Sequence, residues 1–275
     1  MTITVDAIAA GLAASGARFN ISKVIPTQEG ASTFHSLWKV SGLPNNGATA
    51  GANPPAYTAG SGYIPTRATT GAIGQANPTN NKYLAQMDLR GTVAGTLLVY
   101  DRMWACSGMS TLLVTNTITT PGTLTSGRDP LGGDDVEPWI EVYSAPGATG
   151  GTWTLTGTDS TGNTGRTWTY THPANAETAG QIMPMVPGTA IGGCQSPASL
   201  AIGTSSGTAG DVGITLMRRI ASISIVTPNV EAVKDFAQLG LPEVYDDACL
   251  FLIWQSTATT SQTIMGTIGI PELTP

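Results

Sequence analysis

Apolar residues along this chain recur in two rhythms, one of helical spacing in two places and one of strand spacing almost everywhere else. Over residues 5–15, Val5, Ile8, Ala9 and Leu12 fall on one helical face. Thr4 stands where an N-cap belongs, Asp6 meets the N-terminal dipole and Gly16 offers a stop, so a helix is predicted there. A second helix is predicted over 228–239. Thr227 would cap it, Pro228 would sit in its first turn, Val230, Val233, Phe236 and Ala237 share a face, and Gly240 followed by Pro242 ends it.

From about residue 84 the pattern turns to strands. Thr96–Tyr100, Thr111–Thr115, Trp139–Tyr143, Gly213–Ile220, Ile223–Val226 and Cys249–Trp254 are apolar or β-branched runs bounded by turn residues. Their irregular spacing and Gly- and Pro-containing connections match a sandwich or barrel and not a βαβ array. One hairpin can be argued to its register. Residues 152–156 and 167–171 alternate Thr with Trp, Leu or Tyr, and a shared apolar face requires paired residue numbers with an odd sum. A two-residue turn at Gly162-Asn163 satisfies this, setting Leu155 opposite Tyr170 and Gly157 opposite Trp168, with Thr on the solvent face.

Between Lys39 and Asn81 periodic hydrophobicity almost vanishes, and Asn45-Asn46-Gly47, Asn53-Pro54-Pro55, Gly60-Ser61-Gly62 and Asn77-Pro78 punctuate the chain. So long a structureless stretch is expected to wrap something, either the protein's own surface or a neighbour. The chain therefore divides into an N-terminal helix with an extended wrapping segment, 1–83, and a body, 84–275, that carries the 228–239 helix. The expected class is mainly β: an antiparallel β-sandwich or jelly-roll-like body with two short helices and a long irregular N-terminal segment.

Composition narrows this further. The 275 residues are only 11% charged, and Lys occurs at just four positions, 23, 39, 82 and 234. Gly (34) and Pro (18) are abundant, and Thr is the commonest residue. Gly shows no period of three, excluding collagen, and no apolar run reaches the roughly 18 residues of a membrane-spanning helix. The net charge of −6 leaves no basic cluster for phosphate or anionic lipid beyond Arg218-Arg219 at a strand end, so neither nucleic acid nor membrane is an expected partner. Cys106, Cys194 and Cys249 are odd in number and lack CxxC spacing; reduced, buried thiols are expected. The N-terminus lacks the positive start of a secretion signal, with Asp6 where a cation belongs.

A search for chemistry yields little. The two histidines, His35 and His172, read as packing or turn residues, and the nucleophile elbow and phosphate-cradling loops are absent. Asp129, Asp134, Asp135 and Glu137 crowd a Gly-Gly turn that is either a solvated acidic loop or a Ca²⁺ loop without EF-hand spacing. Asp246-Asp247 is a weaker acidic pair. Trp153 and Trp168 belong to a core unless their hairpin face is exposed, in which case they could stack on a sugar. No residue is assigned as catalytic, cofactor-binding or metal-binding, and no cofactor is expected.

In composition and organisation over most of its length, the chain resembles virion proteins of tailed bacteriophages, the capsid decoration or cement type above all. The resemblance implies a non-enzymatic structural protein, located in the virion, trimeric, bridging capsomers through contacts with the major capsid protein and with copies of itself. The alternatives are a tail, fibre or major shell subunit, and, from another class, a carbohydrate-binding module or glycan hydrolase using Trp153, Trp168 and the acids of 129–137.

Overall fold

The computed structural model describes residues 3–27, 30–46, 62–76, 78–112, 115–118, 124, 128–129, 131–175, 177–208 and 210–274. The protein is mainly β, with two short helices, and every strand pairing described is antiparallel. A central eight-stranded sheet runs in the order Ile182–Pro184, Val136–Ser144, Asp211–Ile225, Gly95–Cys106, Leu250–Ser256 and Phe34–Ser36, with Gly62–Tyr63 and Met109–Ser110 added to its two longest strands. Two five-stranded sheets flank it. The first runs Ala232–Lys234, Gln86–Gly91, Gln262–Gly269, Arg18–Ile25 and Gly42–Leu43. The second runs Val186–Pro187, Arg166–His172, Gly151–Asp159, Cys194–Ile202 and Thr115–Thr117. A small sheet of Glu243–Val244, Asn81–Tyr83 and Glu272–Leu273 closes one end.

The long central strands serve both flanking sheets because their ladder is bulged. Leu216 pairs with Trp104 but Met217 with Arg102, so Met103 is the extra residue. The inward set therefore changes from odd to even numbers along Gly95–Cys106. Leu97 and Val99 enter one core with Ile21, Leu89, Ile264 and Ile268 of the first flanking sheet. Trp104 and Cys106 enter a second core with Trp153, Leu155, Leu200 and Ile202 of the other. A third cluster of Leu98, Tyr100, Trp139, Met217, Phe251 and Ile253 is covered by Trp38. Two glycines make close approaches possible. A Cβ on Gly62 would lie 1.9 Å from the Trp104 ring, and Gly42, at φ +126°, lies against the Ser22 carbonyl where the edge strand closes on Arg18–Ile25.

Local signals succeeded where capping chemistry decided. The first helix spans Val5–Ala13, with the Thr4 hydroxyl accepting from the Ala7 amide at 3.2 Å. Of its predicted stripe, Ile8 is buried against Ala85 and Leu273, whereas Val5 and Ala9 are exposed. The helix thus packs on its own chain, and residues 18–25 pair with 262–269.

The 228–239 helix is corrected. Only Phe236–Leu239 is helical, capped by Asp235 in a capping box with Gln238 and ended by Gly240 at φ +73°. Ala232–Lys234 is instead an edge strand on Gln86–Gly91, because pairing a free sheet edge outweighs the propensity of a three-residue stretch. Gly213–Ile220 and Ile223–Val226 belong to one strand, Asp211–Ile225. Residues 111–112 form a turn; Leu113 and Val114 of that predicted strand lie outside the described residues, as do 47–61 of the predicted wrapping segment.

The hairpin keeps its predicted parity but not its register. Trp153 faces Tyr170 and Leu155 faces Trp168, two residues away from the expectation. The cause is Asp159, whose carboxylate accepts from the amides of Thr161 (3.0 Å) and Asn163 (3.1 Å) and from the Thr161 hydroxyl (2.6 Å). That Asx-type loop takes more chain than a two-residue turn. Parity survives, so Trp153, Leu155 and Trp168 point inward and the threonines outward.

Candidate functional site

The most concentrated chemistry lies on the central sheet, in charges set within apolar strands. Asp101 and Arg102 are adjacent in Gly95–Cys106, so strand alternation sends them to opposite faces. Asp101 pairs with Arg128, accepts the Cys249 amide at 2.9 Å, and is fully buried; Arg128 also donates to the carbonyls of Pro65 (2.6 Å) and Arg102 (3.0 Å). On the other face the Arg102 guanidinium meets the Glu141 carboxylate at 2.5 Å, with 1% of either side chain exposed. Tyr143 (2.7 Å) and Ser36 (2.5 Å) donate their hydroxyls to the same carboxylate. Arg102 lies 4.7 Å from the Trp38 ring centre and 5.4 Å from that of Phe251. Burial and the neighbouring Glu141 hold the Tyr143 phenol well above its ordinary pKa, so it acts as a fixed donor. Each of these four charges is paired, which makes them pins between layers.

Beside this pair a cavity of about 370 Å³ is lined by His35, Ser36, Lys39, Ser41, Tyr143 and Gly180, with Val24, Pro26 and Val40 as apolar wall. A second, of about 360 Å³, brings together Asp134, Asp135, Glu137, Trp168 and Arg219.

Asp134, Asp135, Glu137 and Trp168, singled out from sequence, thus line one cavity while Asp129 does not, and the place is not a sugar platform. Trp168 is 1% exposed and Trp153 is fully buried, stacked on the His172 ring at 4.7 Å. The acids also diverge: Asp129 accepts the Gly133 amide (2.7 Å), Asp134 the Ser160 hydroxyl (3.2 Å), and Glu137 the Tyr100 hydroxyl (3.0 Å) and Trp139 indole (2.9 Å). Among the described residues no group of three or more His, Cys, Asp or Glu could hold a metal ion. Burial raises the Asp135 carboxyl despite the attraction of Arg218.

His172 is buried between the Glu177 carboxylate (2.8 Å) and the Gly147 carbonyl (3.0 Å), a packing role. Cys106, Cys194 and Cys249 are free and buried. Asp246 and Asp247 pair with Arg67, and Arg218 lies over the Tyr245 ring at 4.3 Å. Asp101, Arg102, Glu141 and Ser36 were missed as a group. Asp101, Arg102 and Glu141 stand out as charges interrupting the apolar runs 97–104 and 139–143, but nothing local says that Arg102 meets Glu141 and Ser36, or that Asp101 meets Arg128 on the opposite face.

The surface has its own character. The edge strand Ala232–Lys234 and the segment before it expose Val226 (82%), Val230 and Val233, and the edge strand Val186–Pro187 exposes Val186 (63%), with Ile191 nearby in sequence also exposed. The second flanking sheet turns Thr152, Thr154, Thr156, Thr167, Thr169 and Thr171 outward. Among the described residues no helix is long and apolar enough to cross a membrane. No protein-family model, curated protein or solved structure matches this chain.

Proposed function

We propose that this protein is a non-enzymatic structural component of a tailed-bacteriophage virion, decorating or cementing the capsid as a homotrimer in contact with the major capsid protein. The observation that carries the reading is the set of exposed valines at two sheet edges, Val226, Val230 and Val233 by one and Val186 on the other. Lys234 and Pro187 blunt these edges against strand addition, as native edges ordinarily are, so the reading rests on the exposed valine side chains, which suit burial against another subunit. Neutral threonine faces support the same reading, because short side chains lose little conformational entropy when covered. The pairing of Asp101 with Arg128 and of Arg102 with Glu141 further supports a structural role over a catalytic one. Nucleic acid and membrane are not partners in this reading.

The N-terminal helix packs on its own body through Ile8 and leaves Val5 exposed. The test is light scattering of the purified chain, followed by mixing with capsid shells lacking it and electron microscopy. A trimer that adds to shells, and loses this on Val226→Asp with Val233→Asp, is the expected result. A monomer that leaves shells bare overturns the proposal.

A further inference from the structure

The cavity beside the Arg102–Glu141 pair holds two polar groups that the fold leaves without partners. Lys39 is half-buried and, among the described residues, makes no hydrogen bond or ion pair; its ammonium lies 5.4 Å from the centre of the Tyr143 ring. Glu141 and Asp211 attract it, yet Glu141 is already occupied by Arg102, Ser36 and Tyr143, and Asp211 accepts the Gly108 amide at 2.8 Å. Burial outweighs both attractions and lowers the Lys39 pKa, as expected for an ammonium partly withdrawn from water without a counterion at contact distance.

His35 is the second such group. It is 2% exposed, its Nδ1 is sealed from solvent without a partner, and burial lowers its pKa to about 4, so the ring is neutral at physiological pH. Gly180, at φ +96°, fixes the ring from one side; a Cβ there would stand 2.6 Å from Cε1. The Ser36 amide donates to the Gly180 carbonyl at 2.8 Å, closing that wall. The lining also includes the aliphatic side chains of Val24, Pro26 and Val40.

We propose that this cavity binds a carboxylate carrying a short aliphatic body, with the carboxylate on the Lys39 ammonium beside His35 and the aliphatic part on Val24, Pro26 and Val40. A single cation set near two carboxylates suits a monoanion. A phosphate dianion would need more donors and would be repelled by Glu141 and Asp211. The volume, about 370 Å³, is at the small end of ligand sites. This inference stands independently of the virion reading. The carboxylate has two possible sources, a free small acid or the side chain of a neighbouring subunit.

The test titrates the full-length protein, its lysines reductively ¹³C-methylated, with butyrate, N-acetyl-glutamic acid amide, butylamine and inorganic phosphate. Saturable movement of the Lys39 methyl signal with one or both carboxylates is expected, without response to butylamine or phosphate. Calorimetry on unmodified protein should show at least a tenfold weaker affinity in Lys39→Met, with an unchanged melting temperature. Tighter binding of the glutamic acid amide assigns the source to a neighbouring side chain, and tighter butyrate to a free acid. Absence of binding by both carboxylates, an unaffected Lys39→Met, or equal binding of phosphate overturns the proposal. Should Lys39→Met unfold, the methyl signal of the intact protein decides alone.

Discussion

Replacing Glu141 with Gln tests whether the charges on the central sheet are pinned as pairs. The substitution keeps the shape and an acceptor for Ser36 and Tyr143 but leaves the Arg102 guanidinium without its counterion. Arg102 has no alternative counterion: its Nε and Nη1 already lack acceptors, and besides the neutral Tyr143 hydroxyl at 3.0 Å only the Trp38 and Phe251 rings lie beside it. Breaking a buried pair by removing one partner costs about 3–5 kcal/mol. With a urea slope of about 3 kcal/mol/M, the unfolding midpoint of Glu141→Gln should fall by roughly 1–1.7 M. Arg102→Met combined with Glu141→Gln removes both charges, so it should be less destabilised than Glu141→Gln alone. The coupling between the two sites should reach about 2 kcal/mol. The assay is urea unfolding followed by tryptophan fluorescence for the wild type, both single variants and the double. A Glu141→Gln variant within about 1 kcal/mol of wild type, or a double variant equal to the sum of the singles, would refute the argument.

Further expectations follow from the other buried groups. His35, held near pH 4 by burial against an ordinary value of 6.5, lets the unfolded chain bind its proton first. Its contribution is therefore complete above pH 6.5 and lost as pH falls toward 4; His35→Gln should flatten stability over that window. Lys23 is the opposite case in pH range. Its ammonium donates to the Val40 carbonyl at 2.8 Å and the Pro44 carbonyl at 2.5 Å, and burial lowers its pKa from 10.5 to about 8. The unfolded chain then carries the extra proton between those values, so stability should rise from pH 8 to 10.5, and Lys23→Met should abolish the rise. The thiols of Cys106 and Cys249 are pushed up to about 12 by burial, so a thiol reagent at pH 8 should find none in the native protein and three after denaturation. Trp153→Ala should cost about 3–5 kcal/mol in urea unfolding, while wild-type protein stays silent on a glycan array; a glycan signal lost in this variant would revive the sugar-binding alternative.

The sequence by itself determined which residues face inward wherever a rhythm of two or a cap was involved. The alternation over 152–156 and 167–171 dictated the buried tryptophans and the threonine surface, and Thr4 and Gly240 marked real helix boundaries, because those choices depend on neighbours within a few positions. It also determined the antiparallel β class and the reduced state of the cysteines. Tertiary structure decided the rest. It recruited Ala232–Lys234 to a free sheet edge against a helical pattern, moved the hairpin register by two through Asp159, and bulged the central strand at Met103 so that it serves two cores. It also decided the candidate sites. Ser36 and Glu141 meet across a separation of 105 residues, and Lys39 is left facing His35's cavity by strands from both halves of the chain. Local periodicity encodes the parity of a side chain. Which distant strand lies beside it, and hence which charges share a buried face, emerges only when all the sheets pack together.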